Sequence, residues 1–228
     1  MLFRSKFPVG ELVPLASERS AGSETVFAGK KHKVRKLEAG AFAGVDFAFF
    51  SAGATRSREF VPVAIQAGAV VIDNSSAFRM DEKVPLVVPE VNGDLLKKHP
   101  KLIANPNCSA AILAVALAPL HRAAGLQRVV VATYQSASGA GAKAMAELEK
   151  QVKDFAAGKE PRAEVFPHVL AFNLFSHNSP VGANGYNEEE NKMVEETRKI
   201  FGLSDLNMVP TCVRVPVPRA HSEAVVAS

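Results

Sequence analysis

The sequence predicts an α/β fold, with a parallel-sheet domain first and an α+β domain after it. Three observations lead there. Up to residue 125, short apolar runs alternate with helical stretches, the rhythm of strand–helix–strand units. Those runs are apolar at nearly every position, as expected of strands covered on both faces. After Gly125 the rhythm gives way to a longer β-rich run, two helical stretches and a β-rich tail. Of the 228 residues, 47% are hydrophobic and 22% charged, enough apolar material for a core and too little charge for wholesale disorder.

In chain order, "VDFAFFSAG" (45–53) reads as a buried strand ending at Gly53. "TRSREFVPVAIQAG" (55–68) reads as a helix closed by Gly68, with Pro62 inside it. "AVVIDNSS" (69–76) is a second buried strand running into a polar loop, and "VPLVVPEVN" and "KLIANPN" are further strand candidates. In a sheet of this kind the ligand crevice lies at the carboxyl ends of the strands, here "SAG", "DNSSAFR" and "NPNC". "LQRVVVATYQSAS" (126–138) is β-rich, and "GAGAKAMAELEKQVKDFAAG" is a helix terminated at Gly158. "NEEENKMVEETRKIFG" (187–202) is an amphipathic helix. In the tail, Pro216 and Pro218 imply an edge or irregular strand. The domain boundary falls near residue 126, giving domains 1–126 and 127–228.

The formal charge is +4. Residues Lys30, Lys31, His32, Lys33, Arg35 and Lys36 form a local basic run without aromatic interleaving, so a solvated strand is expected rather than nucleic-acid binding. Cys108 and Cys212 are the only two cysteines and lie far apart, so neither a disulfide scaffold nor a metal site is expected. "MLFRSKFPVG" lacks the apolar core of a leader, and no window reaches the roughly 20 apolar residues of a membrane span, so a reducing cytoplasm is expected.

The chemistry centres on "NPNCS". Pro106 pushes Asn105 out of helical geometry, so a helix begins at about Asn107 or Cys108. Free N–H groups and the positive end of the helix dipole then surround the sulfur and are expected to lower its pKa, favouring a nucleophilic thiolate. Cys212 has no such setting and reads as packing. Of six histidines, His32 and His99 look solvated, while His221 lies near Arg214, Arg219 and Glu223 in sequence. Glu189 and Lys192, three apart on a helix, share a face, and pattern alone reads them as a surface ion pair. "SGAG" (138–141) leads into a helix and can cradle an anion with backbone amides.

Together, "SAGATRS", "DNSSAFRM", "VPLVVPEVN", "ANPNCS", "YQSASGAG", "AFN", "NEEENKM" and "RVPVPRAHSE" resemble aspartate-β-semialdehyde dehydrogenases in order and spacing, from about Phe7 to the last residue. The resemblance implies NADPH-dependent reduction of L-aspartyl-4-phosphate to aspartate semialdehyde and phosphate, on the route to lysine, methionine, threonine and isoleucine. It implies Cys108 as nucleophile with Asn107 beside it, Gln135 orienting the intermediate and His221 as acid/base. It implies Arg214 on the substrate carboxylate, Glu189 on its amino group, and Arg79 and Lys192 on phosphate. Arg19 and Ser20 match the loop selecting the ribose 2′-phosphate of NADP(H); Ser51, Ala52, Gly53, Ser75, Ser138 and Gly139 match the cofactor lining. No metal, nucleic acid or membrane enters, and a homodimer or tetramer is implied. The implied fold is a Rossmann-like domain without its first strand and Gly-rich loop, followed by an α+β catalytic and dimerisation domain incomplete at its C-terminus. A chain starting after the Gly-rich turn is expected to bind NADPH poorly. Two other readings remain: an N-acetyl-γ-glutamyl-phosphate reductase, whose motif carries Gly where Asn107 stands, and an inactive homologue or fragment serving as an interaction module.

Overall fold

The structure, a computed structural model, describes residues 7–177 and 179–228; residues 1–6, read above for a leader, lie outside that range. The chain divides into two compact units between Ala77 and Phe78.

In the first unit, β1 (Leu15–Ala16) pairs in parallel with the later β4 (Arg35–Lys36). Between them, β2 (Glu24–Phe27) and β3 (Lys30–Lys33) form an antiparallel hairpin. Its two-residue turn, Ala28 and Gly29, has φ of 48° and 78°, the left-handed pair that matches the twist of flanking strands. The basic run is therefore the outer strand of this hairpin and the residues after it, with Lys31 paired to Glu24 and Lys36 to Glu18 in solvent. Strand β5 (Phe47–Phe50), helix α1 (Ala54–Gln66) and β6 (Val70–Asp73) follow, and β5 and β6 pair in parallel, as the apolar runs predict. Phe42, Phe50, Val61, Ala64 and Val71 form the unit's buried interior. The expectation of cover on both faces holds less well for β5. Ala48 and Phe50 are buried, while Phe47 and Phe49 remain about half exposed, with Phe7 edge-on to both rings.

The second unit contains α2 (Pro89–Asn92), β7 (Leu102–Ala104), α3 (Cys108–Ala124), β8 (Arg128–Gln135) and α4 (Ala142–Ala156). It continues with β9 (Phe175–Ser176), α5 (Glu188–Phe201), β10 (Asn207–Arg214) and β11 (Ser222–Ala227). A mixed sheet runs β11-β8-β10-β9, with β8 and β10 parallel over their whole length and the outer strands antiparallel to their neighbours. One face of β8 and β10 packs against α3 and α5 through Leu113, Leu117, Val129, Val131, Met193 and Met208. Cys212 is fully buried in that core, as its packing role requires.

One strand reading needs correction. "VPLVVPEVN" is not a strand: Leu86 makes one bridge to Ala104, and Pro89 then opens α2. Its fixed φ and missing N–H suit a first helical position. Proline also occurs inside β10, at Pro210, opposite Val131 of β8; among the described residues, β9 pairs with Val213 and Arg214 and does not extend along Pro210.

This topology places the chemistry. Gln135 and Arg214 end the two parallel strands in register, and β11 starts opposite Tyr134 at that same edge. His221, the residue before β11, therefore arrives beside both.

Candidate active site

Cys108 is the first residue of α3, with Asn107 as its N-cap. Asn107 Oδ1 accepts from the Ser109 and Ala110 amides at 2.9 and 3.4 Å, satisfying donors that a helix start leaves open. Its Nδ2 donates to Glu189 Oε1 at 2.8 Å and its main-chain N to Glu196 Oε2 at 2.5 Å. The turn before the cysteine is thus held by two carboxylates from α5. The expected low thiol pKa is not found. Packing around the sulfur and the Glu189 carboxylate push it up, and the backbone amides of Ser109 and Cys108 oppose this only in part. The helix start acts in the predicted direction and is outweighed.

At the strand ends, Gln135 Nε2 faces Ser109 Oγ at 3.1 Å, Thr133 Oγ1 at 3.3 Å and Glu189 Oε1 at 3.4 Å, which links β8 to the residue after the cysteine. The Ser136 amide donates to His221 Nδ1 at 3.1 Å. A ring nitrogen that accepts from a main-chain N–H has no proton of its own, so neutral His221 carries its hydrogen on Nε2. Burial and then the Arg214 charge hold the imidazole below its usual pKa, with Glu189 opposing. Arg214 is buried, donates from Nη1 to the Ser136 carbonyl at 2.7 Å, and lies 5.5 Å from the centre of the Phe166 ring. Among the described residues, its Nε is buried with no hydrogen-bond partner, as is His177 Nδ1. Cys108 and His221 share Glu189 and Arg214 as charged neighbours. Gly139 lies over this pair: a Cβ there would sit 3.0 Å from His221 Nε2 and 3.3 Å from Arg214 Nη1.

Helix α5 supplies the carboxylate side. Glu189 is 5% exposed, so the surface ion pair that pattern alone suggests is not what forms. Its Oε2 lies 3.8 Å from Lys192 Nζ and 3.9 Å from His177 Nε2. Burial keeps His177 below the ordinary histidine range despite that carboxylate. Arg79, also buried, donates from Nε to the Asn105 carbonyl at 2.9 Å and from Nη1 to Glu196 Oε1 at 3.1 Å. Ser138 and Gly139 belong to a 3-10 turn, Ala137–Ala140, that leads through Gly141 into α4.

The remaining predicted residues belong to the first unit. Arg19 and Ser20 sit in the 3-10 turn Glu18–Ser20, with Arg19 exposed. Ser51, Ala52 and Gly53 precede α1, all three exposed, and Gly53 has φ of 90° with open space where a Cβ would stand. Ser75 is held by buried Asp73, whose carboxylate accepts from Ser75 N at 3.0 Å, Ser75 Oγ at 2.8 Å and Ser57 Oγ at 2.7 Å. Sequence reading missed Glu196, His177, Ser109 and Asp73. The helical spacing of Glu196 from Glu189 was the available signal for the first; the others carried none. Among the described residues, no helix is long and apolar enough to cross a membrane.

A family model described as the NAD-binding domain of semialdehyde dehydrogenases matches residues 1–99, and one described as their dimerisation domain matches residues 117–228. Aspartate-semialdehyde dehydrogenase of Synechocystis sp. is 53% identical over 225 residues, covering 99% of this chain and 67% of its own length. The Bacillus subtilis enzyme of that name is 44% identical, over 96% of this chain and 65% of its own. The chain thus spans about two thirds of the length of these relatives. Among solved structures, Vibrio cholerae aspartate semialdehyde dehydrogenase II, complexed with ASA, superposes with a TM-score of 0.95 at 44% identity, covering 99% of this chain and 68% of that one. A Candida albicans aspartate semialdehyde dehydrogenase with NADP, at 23% identity and a TM-score of 0.71, shares the fold.

Proposed function

The chain belongs to the aspartate-semialdehyde dehydrogenase family, and from that premise we propose that it reduces L-aspartyl-4-phosphate to L-aspartate 4-semialdehyde, releasing phosphate, with NADPH as reductant. The observation that supports this best is the pairing of a buried, partly unsatisfied guanidinium with a buried carboxylate beside a helix-start cysteine. Arg214 and Glu189 together complement the carboxylate and ammonium of an α-amino acid. A guanidinium grips a carboxylate with two parallel hydrogen bonds, and the lone Nε of Arg214 suits that fork.

Cys108 attacks the acyl carbon, phosphate departs with the bonding electrons, and an acyl thioester remains on the sulfur. Arg79 and Lys192 receive the phosphate. Burial is the larger reason the thiol is held up; the substrate ammonium, set against Glu189, offsets the lesser share that comes from that carboxylate. His221, with its hydrogen on Nε2, hydrogen-bonds the acyl oxygen as negative charge develops there and keeps its proton, help worth about 100- to 1,000-fold. Collapse of the tetrahedral adduct expels the thiolate and frees the aldehyde. Gln135 and Asn107 orient the acyl group and the turn that presents the sulfur.

The residues present fit a nicotinamide dinucleotide: an exposed glycine of positive φ opens α1, and an exposed arginine stands on the turn before β2. Arg19 and Ser20 would take the 2′-phosphate that distinguishes NADP, and Ser51, Ala52, Gly53, Ser75, Ser138 and Gly139 would line the rest. When bound, the cofactor supplies the hydride. The functional division lies at residues 126/127, the working form is a homodimer or tetramer joined through the second domain, and the setting is cytoplasmic.

The test is phosphate-dependent oxidation of aspartate semialdehyde with NADP⁺ by the purified protein and by Cys108→Ala. Loss of turnover by at least about 1,000-fold is expected. Undiminished turnover in Cys108→Ala ends the mechanism.

A further inference from the structure

We infer that Glu196 is a positioning residue for this reaction, fixing with one buried carboxylate both the phosphate cation Arg79 and the turn that presents Cys108. The inference rests on the reading above. Glu196 is 2% exposed on α5. One oxygen accepts from Arg79 Nη1 and the other from the Asn107 amide, while Arg79 Nε returns to the Asn105 carbonyl. Carboxylate, guanidinium and the turn at residues 105–107 therefore close a ring of hydrogen bonds. Cys108 is the next residue after that ring.

The same helix grips Arg79 a second time. Lys199 Nζ donates to the carbonyls of Arg79, Asp81 and Val84 at 2.6, 2.7 and 2.9 Å. Glu189, Lys192, Glu196 and Lys199 recur at helical spacing on α5, so one rigid stripe meets the amino-group site, the phosphate site and the nucleophile's turn. A buried ion pair is a poor way to gain stability, because well-packed apolar side chains of similar volume serve as well or better. What this pair adds is direction. A guanidinium bonded at both Nε and Nη1 is fixed in its plane, and a cap held by its main-chain N–H fixes where its neighbour's sulfur points.

Glutamine cannot replace this carboxylate. Both of its partners are donors, and an amide offers one acceptor and one donor in place of two acceptors. In the purified protein, Glu196→Gln is expected to raise KM for phosphate in aspartate semialdehyde oxidation about 10-fold and to lower kcat about 10- to 100-fold, with KM for the aldehyde within about 2-fold of wild type. Glu196→Asp, which keeps two acceptors, is expected to recover part of the phosphate KM. An unchanged phosphate KM in Glu196→Gln, or equal impairment in both variants, overturns the inference. Arg79→Lys in a protein with Glu196 intact offers a second measure: the rate at which iodoacetamide alkylates Cys108 is expected to change several-fold, and an unchanged rate also overturns it. If the wild type shows no phosphate-dependent oxidation, the reading of the reaction fails, and alkylation still decides whether ring and sulfur are coupled.

Discussion

Gly139 is where the space around His221 is tightest. Its φ is not in the left-handed region, so alanine meets no backbone penalty there; the obstacle is the imidazole, 3.0 Å from the new methyl. Gly139→Ala is expected to leave folding intact and to lower kcat roughly 10- to 100-fold by displacing Nε2. An unchanged melting temperature with reduced turnover would bear this out, and unchanged turnover would refute it. At this scale the sequence was readable for local reasons. Pro106 and Asn107 mark the helix start, and the start is where they place it. The thiol's shift was not readable, because burial of the sulfur and then the Glu189 charge from another helix set it, and neither packing nor a charge brought in by folding leaves a trace in neighbouring letters.

Helix α5 is the element on which most of the site depends, and its start is secured twice. Asn187 accepts from the Glu190 amide at 2.9 Å while Glu190 Oε2 accepts from the Asn187 amide at 2.9 Å, a reciprocal capping box. The other Glu190 oxygen accepts from Cys212 N at 3.0 Å, tying the helix start to β10. Asn187→Ala is expected to cost about 1 kcal/mol of stability. A shift of the urea midpoint at constant m-value would register it, and no shift would show the cap to be redundant. The helices were legible because periodicity and caps are local. "VPLVVPEVN" was not, because an apolar run flanked by prolines fits a strand and a helical first turn equally, and packing decides. The sheet order was illegible too: β8 and β10 pair across an intervening 71-residue stretch, from Gln135 to Asn207, with no local marker of register.

Part-buried groups make the stability of the whole molecule depend on pH in opposite directions. Burial raises Glu223 to about 7, so below that value the folded chain holds a proton that the unfolded chain gives up above about 4.5. Its contribution is therefore full at low pH and is lost as pH rises through 7. His177 and His221, held low, contribute stability that is full above about 6.5 and lost as pH falls below it. Glu223→Gln removes the first effect and leaves the second. Its stability is expected to rise more steeply from pH 5 to 7 than the wild type's, with a gain on the order of 1 kcal/mol at pH 8. Parallel denaturant titrations across that range would check this; identical slopes would refute it. One last consequence comes from where the chain divides. Cys108, His221, Arg214 and the two cations assigned to phosphate all belong to residues 78–228, whereas most residues assigned to the dinucleotide precede them. Under the proposed mechanism, loading an acyl group and returning it to phosphate would therefore fall to one compact unit, a reversible exchange that consumes no reducing equivalent and that redox chemistry would join only afterwards.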